Sequence, residues 1–147
     1  MSERPQVRVR LVSWHEQAAS LSHVRETVFV HEQGVPPELE LDEHDAAAVH
    51  ALAEDTEGRP VGAGRLLPDG HIGRLAVLSE MRGLGLGRVL LDTLVDTARQ
   101  NGHEQAVLNA QVQALDFYLR AGFIVSSEPF MEAGIEHQEM RKPLQNG

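Results

Sequence analysis

The stretch Arg82-Gly83-Leu84-Gly85-Leu86-Gly87-Arg88 decides how this chain is read. Three glycines alternate just ahead of a long helical pattern, and without a Cβ the backbone there can turn tightly and approach a ligand closely. The first amides of a helix have no internal partner and point out of its N-terminus. A glycine turn that opens a helix is therefore a site for phosphate. The charges point the same way. A helix start left to itself favours Asp or Glu against its dipole, whereas Arg82 and Arg88 flank this one. An outside anion would remove the mismatch. The plainer alternative is a turn packed on a sheet with both arginines in solvent; spacing and charge together favour phosphate.

Two nucleotide readings fail at single residues. A P-loop needs Lys and then Ser or Thr after its last glycine, but Gly87 is followed by Arg88 and Val89. The dinucleotide fingerprint G-x-G-x-x-G needs glycine where this chain has Arg88, counting from Gly83, or Leu90, counting from Gly85.

Working outward, residues 87–101 carry Leu90, Leu91, Leu94, Val95 and Ala98 at helical spacing, with Asn101-Gly102 as a stop. A shorter helix is predicted over 114–121, ended by Gly122, and a third over 21–30. Strand patterns fall at 7–12, 49–54, 61–67, 71–78 and 105–109, with Val125 and 137–140 supplying the last, weakly marked strands. Residues 55–60 and Pro68-Asp69-Gly70 read as turns, and the acidic stretch 36–45 as a surface loop. Hairpins followed by a strand–helix–strand crossover give a mixed α/β sheet with helices on both faces, in one domain over residues 1–147.

Composition narrows the chemistry. The 147 residues include no cysteine, which removes disulfide scaffolds, thiolate zinc sites and a cysteine nucleophile. The eight histidines are scattered, and no H-E-x-x-H occurs, so no metal is expected. A net charge of -9 argues against nucleic acid as a partner, which needs a basic field, and suits a cationic substrate or plain solubility. Residues 1–10 are polar, and no run is long and apolar enough for a signal peptide or a membrane span. A cytoplasmic protein without a membrane partner is expected.

Arg82-x-x-Gly85-x-Gly87 resembles the Q/R-x-x-G-x-G/A signature of the GCN5-related N-acetyltransferases, the GNAT family. Gly73-Arg74-Leu75-Ala76-Val77 is similar to the family's central strand, and residues 114–123 to its late helix and turn. The three segments stand in the family's order, and the resemblance extends over about residues 5 to 142. It implies the GNAT acyl-CoA N-acyltransferase fold, with a mostly antiparallel twisted sheet splayed at a cofactor slot. It also implies acetyl-CoA as co-substrate. Arg82, Gly83, Leu84, Gly85, Leu86, Gly87 and Arg88 would hold the pyrophosphate, and the backbone of Leu75, Ala76 and Val77 would pair with the pantetheine arm. Asn109 matches a position that often contacts the cofactor, although a strand-end turn residue is an equal reading. Many family members are homodimers; the sequence itself carries no interface signal.

Transfer of an acetyl group to an amine sets three requirements. The amine must lose a proton, since an alkyl ammonium has a pKa near ~10.4. The oxyanion needs a donor, for which the backbone N–H of Val77 is the candidate. The leaving thiolate gains from a proton donor. Tyr118 is the only tyrosine and matches the position where the family commonly carries its general acid, although Leu115 and Leu119 would equally make it core. Glu32 and His137 are expected to line the acceptor pocket with no role assigned; His44 and Asp45 are further options for a base, as is a water chain. The competing reading is a non-catalytic module of the same fold that senses acyl-CoA or a partner. An unrelated phosphate sensor is a third.

Overall fold

The computed structural model describes residues 6–144, so the start of the polar segment 1–10 lies outside the described residues. The first helix, α1 (Trp14–Arg25), follows strand β1 (Arg8–Val12) and begins at Ser13. The Ser13 side chain accepts the Glu16 N–H at 3.2 Å, an N-cap that satisfies one of the helix's orphan donors. A π-helical stretch, Glu26–Glu32, continues it. The helix predicted over 21–30 therefore starts earlier and changes winding midway. The capping signal Ser13-x-x-Glu16 was present in the sequence.

Helix α2 (Pro37–Glu40) and a 3-10 turn, Asp45–Ala47, occupy the acidic stretch. That stretch is no surface loop throughout: Glu40 and Asp45 are each 2% exposed. Strands β2 (Val49–Glu54), β3 (Pro60–Leu66) and β4 (His71–Val77) then form consecutive hairpins. Asp55 holds the first turn, its Oδ1 accepting the N–H groups of Glu57 and Arg59, both at 2.9 Å. Helix α3 (Leu86–Gln100) crosses over to β5 (Gln105–Gln111), which lies parallel to β4. Helix α4 (Leu115–Arg120) and strands β6 (Ile124–Val125), β7 (Phe130–Glu132) and β8 (Ile135–Pro143) complete the described chain. Strand β7 carried no signal in the sequence reading, and β8 is longer than the expected 137–140.

The sheet order is β1-β2-β3-β4-β5-β8-β6, with β7 also on β8, and β4/β5 is its one parallel pair among the described residues. Its two faces are set by β3. A Cβ at Gly62 would lie 2.9 Å from Leu90 Cδ1, and one at Gly64 2.8 Å from Leu94 Cδ1. These glycines let α3 lie directly on the sheet. The intervening residues face the other way, where Arg65 meets Asp42 and Asp45 beneath α1. The fully buried Leu90, Leu91, Leu94 and Ala98 of α3 anchor the core on one face, and Leu21 and Val24 of α1 on the other.

Candidate active site

The site begins where β4 and β5 part. Their pairing consists of His71↔Val107 and Ile72↔Leu108. Beyond it the strands separate, because β4 is bent by a bulge: between Ala63↔Ala76 and Arg65↔Gly73, two residues of β4, Arg74 and Leu75, oppose the single residue Gly64. Arg74 takes φ +53°, a left-handed conformation rare outside glycine.

Register then decides which backbone groups face the opening. Leu78 donates its N–H to the Val61 carbonyl at 3.0 Å. Val77, opposite Gly62, is thus at a non-hydrogen-bonded position, and its N–H and C=O face away from β3. Its carbonyl accepts Arg82 Nε at 3.0 Å. Ala76 turns to β3 instead, and the Leu75 side chain packs against Gly64.

The glycine turn stands beside this free edge. Gly83 (φ +80°) and Gly85 (φ +82°) are left-handed, so the turn requires glycine at both. Gly85 begins α3 with no side-chain cap, and no acid lies in the first turn. The first intrahelical bond runs from Val89 N–H to the Gly85 carbonyl at 3.3 Å, which leaves the N–H groups of Leu86, Gly87 and Arg88 without a partner in the helix. The Leu86 side chain is buried and that of Leu84 exposed. A Cβ on Gly87 would meet Phe117 at 3.5 Å and Val77 at 3.8 Å, ordinary contacts, which explains a signature that accepts Gly or Ala there. Arg82 and Arg88 are engaged: Arg82 pairs with Glu32 at 2.8 Å, and Arg88 with Asp92 at 2.9 Å.

A cavity of about 820 Å³ opens between the strands; Leu75 and Arg74 line one side, Asn109, Tyr118, Glu132 and His137 others. The Tyr118 ring packs edge-on against Phe117 and Phe123, with centroids 5.0 and 6.1 Å apart. Burial pushes its phenol up to about 12, so it keeps its proton at any physiological pH. Core packing and a place at the slot hold together for this residue. His137 is buried and stacks on Phe130. Its Nδ1 lies 2.7 Å from the Ile135 carbonyl, a contact that places the proton on Nδ1 and the lone pair on Nε2 in the neutral ring. Glu132 lies between the two predicted residues, its Oε1 accepting Asn109 Nδ2 at 3.2 Å and its Oε2 3.6 Å from His137 Nε2.

Glu32 is placed elsewhere. It does not line the cavity, and it faces the glycine turn through Arg82. The π winding accounts for this: Gln33 N–H reaches back five residues to the Val28 carbonyl at 3.1 Å, so the wider turn brings Gln33 to the cavity beside Phe29. Gln33 then accepts Gln111 Nε2 at 2.8 Å, a bond that spans the cavity mouth.

A charge cluster that the sequence reading missed forms part of the cavity wall, through Glu40, Asp42, Arg65 and Arg74. Arg25, 1% exposed, pairs with Glu40 and, at 2.7 Å, with Asp45. Arg65 bonds both oxygens of Asp42, at 2.7 and 2.8 Å, and also Asp45 at 2.8 Å. Arg74 completes it from the cavity wall, reaching Asp42 Oδ2 at 3.2 Å and the Glu40 carbonyl at 3.1 Å. Burial opposes the Asp42 charge, but the hydrogen bonds and charge of Arg65, helped by Arg74 and the His44 N–H, hold its carboxyl down at about 2. Asp45, one of the base options, is likewise held ionised by Arg25 and Arg65 against burial; its lone pairs are committed. His44 lines the cavity.

Comparison with known proteins agrees with this geometry. Residues 15–144 match the family model described as Acetyltransferase (GNAT) domain. The chain is 40% identical over 131 residues to the uncharacterized N-acetyltransferase YjcF of Bacillus subtilis, covering 86% of this chain and 93% of that protein. An acyl-CoA N-acyltransferase from Pseudomonas aeruginosa superposes with a TM-score of 0.84 at 28% identity, over 93% of this chain and 99% of that one. Escherichia coli ElaA does so with a TM-score of 0.83 at 25% identity, again over 93% and 99%. A family match over most of the chain, a free β4 edge and a bare glycine-capped helix start lead to one conclusion: the chain belongs to the GNAT acetyltransferase family.

Proposed function

We propose that the chain is one N-acetyltransferase domain that moves the acetyl group of acetyl-CoA to an amine by direct attack in a ternary complex. The observation that carries this reading is the juxtaposition along β4: the glycine turn and helix start lie against the outward backbone of Val77, and Tyr118 lines the cavity that Leu75 borders on the same strand. The turn 82–88 binds the pyrophosphate through the free N–H groups of α3, with Arg82 and Arg88 able to turn from their carboxylates toward it. The outward backbone of Val77 pairs with the pantetheine arm and supplies an N–H to the oxyanion. Asn109 borders the same slot.

His137 Nε2 is the proposed proton acceptor, with Glu132 Oε2 3.6 Å away. A bond forms between the amine nitrogen and the acetyl carbon, and the carbon–sulfur bond breaks. Tyr118 donates to the departing sulfur. With its phenol at about 12, above a free thiol near ~8.5, it keeps its proton and steadies the thiolate by a hydrogen bond. The proton that the amine gave to His137 is then passed to the sulfur, so that CoA leaves as the thiol and both side chains return to their starting state.

Calorimetric titration with acetyl-CoA, repeated with Gly85→Glu, tests the cofactor site. Binding by the wild type and its loss in a folded variant are expected. No binding at millimolar acetyl-CoA would refute the reading.

A further inference from the structure

The charge cluster in the cavity wall is not evenly compensated. It holds Arg25, Arg65 and Arg74 against Glu40, Asp42 and Asp45, yet the three arginines fare differently. Arg25 and Arg65 have side chains 1% and 6% exposed, whereas Arg74 is 26% exposed on the cavity wall. Asp42 spends both oxygens on Arg65, Asp45 is shared by Arg25 and Arg65, and Glu40 bonds Arg25. Arg74 is left with a share of Asp42 Oδ2, the backbone carbonyls of Glu40 and Leu39 at 3.1 and 3.3 Å, and a looser ion pair with Glu40 Oε1 at 3.6 Å. Those bonds use its Nε and Nη2. Both N–H groups of Nη1, in a guanidinium that carries five, have no partner among the described residues. Burial and the positive charges of Arg65 and Arg25 depress Arg74 against Asp42 and Glu40, while Asp42 and Asp45 raise Arg65 against burial. The cluster thus leaves Arg74 Nη1, on the cavity wall, free to donate to an added anion.

Across the slot the sign reverses. Glu132 is about half exposed, with a side-chain value of 49%, and has no arginine or lysine within ion-pair distance among the described residues. One wall carries Arg74, with its free Nη1, beside Glu40 and Asp42, and the other carries Glu132 beside His137. That arrangement complements a zwitterion.

We infer that the amine acceptor carries a carboxylate: it is an amino acid whose carboxylate pairs with Arg74 while its amine lies toward Glu132 and His137. This rests on the acetyltransferase reading above and narrows its substrate class. The free N–H groups of Arg74 Nη1 donate to the carboxylate in charge-assisted hydrogen bonds, which an amine without that group cannot accept.

The test is thiol release from acetyl-CoA with paired acceptors that differ only in the carboxylate: lysine and cadaverine, ornithine and putrescine, histidine and histamine, phenylalanine and phenethylamine. The amino acid of at least one pair should exceed its decarboxylated partner at least tenfold in kcat/KM. Arg74→Gln should raise KM for that amino acid at least tenfold more than for its partner, and Arg74→Lys should restore part of the difference. Acetyl-CoA titration of each variant reports whether the β4 edge is intact. Decarboxylated members equal or better, or no turnover of the amino acids by protein that binds acetyl-CoA, would overturn the inference and leave the acetyltransferase reading standing. Failure of the wild type to bind acetyl-CoA would overturn both.

Discussion

Asp42→Asn removes one negative charge from the cluster and almost no volume. Held at about 2 in the folded protein, against ~3.9 in an unfolded chain, the Asp42 carboxyl contributes roughly 2 kcal/mol of stability at neutral pH. Three-quarters of the side chain is out of solvent, with 25% exposed, so screening removes little of this. A depressed pKa fixes the sign. The contribution is complete above about pH 5, shrinks as the unfolded state takes up protons near pH 4, and is gone below about pH 2. Urea unfolding of wild type and variant should therefore show a gap of roughly 2 kcal/mol at pH 7, a shift of about 4 to 8 °C in thermal midpoint for a domain of this size. The gap should be close to half as large at pH 3. A gap of equal size at pH 7 and pH 3, or none at pH 7, would show that Asp42 acts through shape and not charge.

Tyr118→Phe should leave acetyl-CoA affinity within twofold and lower kcat by ~10²-fold, read by thiol release; an unchanged kcat would make the residue core only. Glu32→Gln removes the carboxylate that holds Arg82 at 2.8 Å and should tighten acetyl-CoA binding severalfold in calorimetry, whereas weaker binding would mean that the pair positions Arg82 for its ligand. Ala133 and Gly134 turn between β7 and β8 with φ of +51° and +78°, a type I′ geometry that favours Asn-Gly. Ala133→Asn should accordingly raise stability by about 1 kcal/mol, and no rise in thermal midpoint would refute the strain.

The parts of the site legible in the sequence obey local rules. Gly83 and Gly85 are left-handed because a strand must turn into a helix within a few residues, and α3 is amphipathic because it lies on one sheet face. Both were visible in windows of seven to fifteen residues. Contacts made at long range were hidden. Residues 36–45 read as solvated because isolated carboxylates are, and their arginine partners lie 15 to 32 positions away. Glu32 was expected at the acceptor pocket; a π turn, which periodicity does not announce, gave that place to Gln33. The β4 bulge left no trace either, since Arg74 is an ordinary residue in an uncommon conformation. Glu132 was passed over for lack of any pattern around it.

Because β4 and β5 share only two residue pairs, the sheet is mechanically two leaves, one running from β1 to β4 and one from β5 to β8, with helix α3 as the strap between them. Load between the leaves passes through the short β4–β5 pairing and the Val107 N–H to Gly70 carbonyl bond beside it, through that strap, and through the side-chain hydrogen bond from Gln111 to Gln33. A molecule laid along the gap as an extra strand would stitch the leaves edge to edge. Occupancy should then be felt far from the slot, as slower amide exchange in both leaves at once and a sharper thermal transition.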